Sequence, residues 1–240
     1  MRKQRVVVVG NGMVGHRFVE LACEHKDKFE ITVSGGEQRP AYDRVHLSEY
    51  FAGKSADDLA LATESGYQQI GLEAVFGDPV KEIDRTANTL TTVGGQTIRY
   101  DKLVLATGSF PFVPPIPGND REHCLTYRTI DDLERIEASA STSTVVQLAG
   151  GGSKMLRKQN EALGVSVHTG KATQTIESGS TNRLRMEFAD GEHLETDMIV
   201  FSAGIRPYDQ LARDCGLEVG ERGGIDIDDL CRTSDAKLFE

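Results

Sequence analysis

The residues with the clearest chemical potential are three glycines, in the run Val6-Val7-Val8-Val9-Gly10-Asn11-Gly12-Met13-Val14-Gly15. The spacing G-x-G-x-x-G after an apolar strand suits a dinucleotide pyrophosphate. Gly10 permits a tight turn, Gly12 lets a diphosphate approach the backbone, and Gly15 lets the following helix pack closely on the strand. Free amides and the positive dipole end of that helix would face the anion. An acidic residue about 20 positions on should hold a ribose. Glu37 is the candidate, with a solvated loop glutamate as the other reading. Arg39 and Arg44 carry fork-shaped donors that suit phosphate, or are surface arginines. In Ala106-Thr107-Gly108 the small side chains let backbone pass close to a ligand at the carboxyl end of a sheet.

No general acid or base is assigned, so the catalytic residues stay unknown. His16 and His46 are the nearest histidines and read as packing or surface residues. The cysteines, Cys23, Cys124, Cys215 and Cys231, are far apart, which excludes a C-x-x-C dithiol and gives no metal-like spacing. A reducing, cytoplasmic setting follows by default.

These residues need elements to position them. Four consecutive valines suit a strand buried on both faces of a parallel sheet. A helix is expected from about Met13 to His25, then a β-branched strand over Glu30–Ser34. Further strands are expected over 73–77 and 80–84, a hairpin over 89–100 around Gly94-Gly95, and a buried strand within 101–109. Pro111, Pro114, Pro115 and Pro117 form an extended crossing segment. A second unit follows: a helix over 131–140, a strand starting at Val145-Val146, a helix over 154–163, a strand over Val165–His168, a hairpin over 184–195, and a strand within 197–204.

The second unit repeats the first. Asp101-Lys-Leu-Val-Leu-Ala-Thr-Gly108 matches Asp197-Met-Ile-Val-Phe-Ser-Ala-Gly204 at an offset of 96 (197 − 101), and Gly95-Gln96 matches Gly191-Glu192 at the same offset. The expected class is α/β, with two Rossmann-like dinucleotide-binding units of three-layer ββα type, the second incomplete. The 240 residues divide into a first unit over 1–118, a second over 119–205 and a return segment over 206–240. A net charge of −10 argues against a nucleic-acid surface, and no apolar run is long enough to span a membrane.

Together these residues resemble the pyridine nucleotide–disulfide oxidoreductase fold. Within it the chain is most similar to the flavin-containing N-terminal module of NAD(P)H-dependent nitrite reductase large subunits. The resemblance is carried by 9–18, Ala41-Tyr-Asp-Arg-Val-His-Leu-Ser48, 100–109, Tyr127-Arg-Thr-Ile-Asp-Asp-Leu133, Phe201-Ser-Ala-Gly-Ile-Arg-Pro207 and Arg222-Gly-Gly-Ile225, over nearly the whole chain. It implies FAD in the first unit: Gly10, Asn11, Gly12, Met13, Val14 and Gly15 at the pyrophosphate, Glu37 at the ribose and Arg44 at the phosphates. Val80 would meet the adenine through its backbone, Ala106, Thr107 and Gly108 would line the flavin, and Arg128 would stand near it. It also implies NAD(P)H on the second unit of the intact protein, and an iron–sulfur and siroheme centre elsewhere that reduces nitrite to ammonia. No metal is expected in this chain. A reductase feeding a rubredoxin or ferredoxin, or a truncated non-catalytic fragment, are the alternatives, and homodimer formation stays open.

Two departures stand out. The second unit lacks its own G-x-G-x-x-G: Val145-Val146 runs into Gln147-Leu148-Ala149-Gly150-Gly151-Gly152, and about 35 residues, roughly one βαβ step, are missing by comparison. Either that segment was removed, or it is disordered and absent from these 240 residues; the second is expected, with a backbone break near Val146-Gln147. The chain also stops at Glu240, before the family's Gly-Asp or Gly-Glu pair, so weaker FAD binding is expected.

Overall fold

The computed structural model describes residues 2–140, 144–149, 161–162 and 165–240. The chain packs as two units, one made of 1–109 with 207–240, the other of 110–206.

In the first unit the valine run forms β1 (Gln4–Val9). It sits inside a five-stranded parallel sheet of order β16 (Leu238–Phe239), β7 (Lys102–Leu105), β1, β2 (Phe29–Gly35), β3 (Glu73–Phe76). Side chains alternate across a strand, and both faces of β1 are covered. Val7 and Val9 join Leu103, Leu105, Ile83, Leu90 and Tyr100 in one core. Val6 and Val8 join Val19, Ile31, Val33, Tyr67 and Val104 in another. The first core lies under an antiparallel meander of β4 (Val80–Asp84), β5 (Thr89–Thr92) and β6 (Thr97–Arg99). The second lies under α1 (Met13–Cys23) and α2 (Glu64–Gln69). This is the expected ββα layering.

The second unit rebuilds part of this plan. β10 (Val145–Ala149), β14 (Met198–Ser202) and β9 (Cys124–Thr126) form a parallel sheet of order β10-β14-β9. Ile199 and Phe201 face a core with β11 (Thr173–Ser178) and β12 (Leu184–Phe188), the latter paired with β13 (His193–Thr196). Met198 and Val200 face Ile136 on α3 (Ile130–Ala140). The offset of 96 holds in space: Leu90 opposes Ile98 in the first meander, and Met186 opposes Leu194 in the second.

Two expectations fail here. The backbone is continuous through Val146-Gln147, because Val146 pairs with Ile199 and Gln147 with Val200 in an unbroken strand. And Val165–His168 is not a strand. In the first unit β2 lies between β1 and β3. Among the described residues no strand pairs with the outer side of β10. The Gly150-Gly151-Gly152 run and most of the helix expected over 154–163 lie outside the described residues.

One carboxylate makes the second unit sensitive to acid. Glu195 accepts from Ser180 Oγ at 2.7 Å and from the N–H groups of Ser180, Thr181 and Asn182 at 3.0, 2.7 and 3.0 Å. The Ser180 hydroxyl and these amides hold its carboxyl down at about 2, from an ordinary 4.5. A depressed folded-state value stabilises the protein above 4.5, and that contribution is lost as pH falls from there toward about 2. Glu195→Gln is expected to lower the urea midpoint at neutral pH and to converge on the parent protein across that window. A gap that is constant with pH would contradict this.

Candidate functional site: a cradle at the carboxyl ends of three strands

β7, β1 and β2 run parallel and adjacent, so their carboxyl ends open at one edge of the sheet. The strand order reverses at β1, which is where ligands bind in open α/β sheets. That edge brings together the turn 10–15, Glu37 beyond β2 and Ala106–Gly108 beyond β7.

The turn is tightly built. Gly10 has φ +109, and a Cβ there would stand 2.0 Å from the Ala106 carbonyl oxygen. Its N–H donates to Ser34 O at 2.7 Å, while Ala106 N–H donates to Val9 O at 2.8 Å. A Cβ on Gly15 would stand 2.0 Å from Gly10 O. These two glycines are demanded by the chain's own packing. Gly12 is not: it has φ −82 and ψ −170, and a Cβ there would meet nothing within 4 Å. It precedes α1, whose first residues Met13 and Val14 are half-buried and exposed.

Behind the turn runs a chain of side-chain bonds. Tyr67 OH donates to Asn11 Oδ1 at 2.9 Å and lies 3.0 Å from His16 Nδ1. An amide oxygen only accepts, so Tyr67 is the donor to Asn11 and accepts from an Nδ1-protonated His16. Burial is the main cause that pushes the Tyr67 hydroxyl up. His16 is buried and committed to this bond, which makes it a packing residue. Asn11 Nδ2 is also buried, with no hydrogen-bond partner. Tyr67→Phe leaves the Asn11 oxygen and the His16 proton unmatched, so a loss of about 1–3 kcal/mol is expected. A double-mutant cycle with Asn11→Ala should show coupling between the two sites; strict additivity would mean that this chain of bonds carries no energy.

Glu37 and Arg44, expected to meet different parts of a ligand, pair with each other. Arg44 Nη2 donates to Glu37 Oε1, and Tyr42 OH donates to Oε2 at 2.7 Å. The Arg44 guanidinium also covers the Tyr42 ring, 4.9 Å from its centroid. Glu37 is thus held at the end of β2, and the solvated-loop reading does not describe it. Arg39 is half-buried. His46 is exposed and raised mainly by its bond to Asp43, 2.6 Å away.

Thr107 Oγ1 donates to Tyr208 O at 2.8 Å, and Tyr208 N–H donates to Gly108 O at 2.9 Å, so this loop is stitched to the return segment. Gly108 has φ +68. Val80 opens β4 opposite Thr92, half-buried against the meander core. Arg128 lies in the second unit, where its N–H donates to Asp132 Oδ2 at 2.9 Å ahead of α3. Tyr42 and Tyr67 are the residues that sequence reasoning missed. Tyr67 sits in Glu-Ser-Gly-Tyr-Gln-Gln, a six-residue helix with no motif to mark it.

Among the described residues no cluster of three or more His, Cys, Asp or Glu could hold a metal. Burial is the main cause that raises the Cys23, Cys124 and Cys215 thiols, which leaves them poor nucleophiles. No helix among the described residues is long and apolar enough to cross a membrane.

Known proteins agree with this architecture. The chain is 45% identical over 277 aligned positions to the nitrite reductase [NAD(P)H] large subunit of Klebsiella oxytoca, covering 100% of this chain and 29% of that protein. It is 41% identical to the NADH nitrite reductase large subunit of Escherichia coli K12, covering 100% and 33%. The chain therefore spans about a third of the length of these relatives. The water-forming NADH oxidase of Lactobacillus brevis, solved with NADH bound, superimposes with a TM-score of 0.90 at 21% identity over 99% of this chain and 61% of that one. The model of the pyridine nucleotide-disulphide oxidoreductase family matches in two pieces, 4–153 and 151–240. This chain belongs to the pyridine nucleotide-disulphide oxidoreductase family.

Proposed function

We propose that the first unit is an FAD-binding unit and that the chain is the flavin part of a nitrite-reductase-type electron-input module. The observation that carries this reading is Gly12. Its backbone conformation suits any residue and the space beside it is open. The fold gives no reason for a glycine there, whereas a diphosphate lying against the amides of 12–15 does. The buried, unpartnered Asn11 Nδ2 is a second donor in want of an acceptor at the same turn.

Bound FAD would supply a two-electron acceptor able to release electrons singly. The protein's part is to bind and orient. The amides of Gly12 to Gly15 meet the pyrophosphate, and Glu37, aimed by Tyr42 and Arg44, meets the adenosine ribose. Arg44 lends charge to the phosphates, and Val80 meets the adenine through its backbone. Ala106 to Gly108, with little side chain, line the flavin. The relatives' names support nitrite as the substrate of the complete protein and NAD(P)H as its reductant; the acceptor proposed is an iron–sulfur and siroheme centre in a part of that protein other than these residues. Free thiols at all four cysteines support a cytoplasmic setting.

Reconstitution with FAD, followed by gel filtration and absorbance, tests the reading. About one flavin per chain is expected. Purified protein that sheds all flavin at low salt would refute it.

A further inference from the structure

The amides of Gly12 to Gly15 are bracketed by Asn11 on one side and His16 on the other. One hydroxyl reaches both brackets. Tyr67 OH donates to Asn11 Oδ1 at 2.9 Å and lies 3.0 Å from His16 Nδ1. Asn11 belongs to the glycine turn. His16 belongs to the first turn of α1, where its own N–H donates to Gly12 O at 2.9 Å. A single oxygen thus ties together the two ends of the stretch 12–15.

The tyrosine is itself held fast. It is 3% exposed, and its ring stacks with Phe76 at 6.1 Å between centroids. It sits on α2, whose start is capped by Thr63 Oγ1, the acceptor for Gly66 N–H at 3.0 Å. Asn11 also rests against β2, since a Cβ on Gly35 would stand 3.2 Å from Asn11 Cβ. One residue earlier, Gly10 is pinned through its N–H to Ser34 O. The strand side of the turn is therefore fixed at Gly10 by the sheet and at Asn11 by α2. Gly12 has no such support of its own. A Cβ there would meet nothing within 4 Å, and glycine is the residue with the most backbone freedom. Its conformation depends on the two brackets.

We infer that Tyr67 is a positioning residue for the diphosphate seat. By bonding Asn11 and His16 at once, it holds the amides of 12–15 in the arrangement an anion needs, so a ligand does not have to order them on binding. It acts through those two side chains and not by touching the ligand. The inference rests on the FAD reading for the ligand's identity, while its test needs only a diphosphate.

Tyr67→Phe keeps the ring and removes the hydroxyl. The whole chain and this variant are titrated with FAD, ADP and adenosine. Affinity for FAD and for ADP should each fall about tenfold. Affinity for adenosine, which has no phosphate, should stay within about twofold. In an Asn11→Ala background the acceptor of the bond is gone, and Tyr67→Phe should lower ADP affinity by at most about threefold more. Unchanged ADP affinity in folded Tyr67→Phe overturns the inference and leaves the FAD reading standing wherever FAD still loads. Equal losses for ADP and adenosine overturn it too, because a general loosening of the unit does not single out phosphate. So does full additivity with Asn11→Ala. A parent chain that binds ADP and no FAD refutes the FAD reading and leaves the ADP comparison decisive; one that binds neither refutes both. Should Tyr67→Phe not fold, Asn11→Ala carries the same comparison of ADP with adenosine, and an unchanged ADP affinity there overturns the inference.

Discussion

Gly12→Ala should leave the folded protein as stable as its parent while reducing FAD affinity by about 100-fold, or ~2.7 kcal/mol. The two halves of this result have separate causes. At φ −82 and ψ −170 an alanine is unstrained, and its methyl group would touch nothing within 4 Å. Gly12 is the residue before the first turn of α1, where alanine is a poorer cap than glycine. Against that, alanine restricts the unfolded chain, a gain of about 0.4–1 kcal/mol. These terms oppose each other, so the melting temperature should stay close to the parent's. Affinity has no such compensation. The methyl group occupies the space through which a diphosphate reaches the amides, and a charge-assisted bond to an N–H is lost with distance. Flavin fluorescence quenching gives the affinity and thermal unfolding without flavin gives the stability. Unchanged affinity would mean that the anion does not sit at this turn. A large loss of stability would mean that Gly12 is a structural requirement after all, and the main support for the FAD reading would go.

The contrast between Gly12 and its two neighbours marks the limit of what sequence could tell. The spacing of Gly10, Gly12 and Gly15 after Val6–Val9 was enough to place β1, the turn and α1, because buried parallel strands read as apolar runs. The first meander, the hairpin of β12 and β13 and the 96-residue repeat were legible too, since Gly94-Gly95 and Gly191 mark matching turns, whereas β11 (Thr173–Ser178) was not expected. The role of each glycine was not legible, because it depends on what lies opposite: Ala106 O for Gly10, Gly10 O for Gly15, open space for Gly12. The partners of Glu37 were hidden for the same reason. Arg44 is seven residues away along a loop with no periodicity, and only the folded loop brings its guanidinium to the carboxylate. Tyr67 is 56 residues from Asn11, and no local pattern encodes a contact at that range. Val165–His168 failed in the opposite sense. Its β-branched pattern is real, but a strand needs a neighbour, and pattern alone says nothing about whether one is present.

Gly15→Ala should damage the fold itself. The added Cβ would lie 2.0 Å from Gly10 O, 3.1 Å from Gly10 C and 3.4 Å from Ala106 Cβ. The first contact is with backbone that cannot swing aside, since Gly10 is pinned to Ser34 O and Ala106 is pinned to Val9 O. α1 must therefore move away from β1, and it takes Val19 out of its core with Val6, Val8, Ile31 and Val33. Overpacking of this kind costs about 3 kcal/mol. Alanine returns about 1 kcal/mol through its helix propensity. The net loss of ~2 kcal/mol corresponds to a fall of about 4–8 °C in melting temperature for a chain of this size. Because the amides of the turn are carried away with the helix, FAD affinity should fall too, unlike the clean separation expected for Gly12→Ala. A Gly15→Ala protein with parental stability would show that α1 can be accommodated at a greater distance from β1.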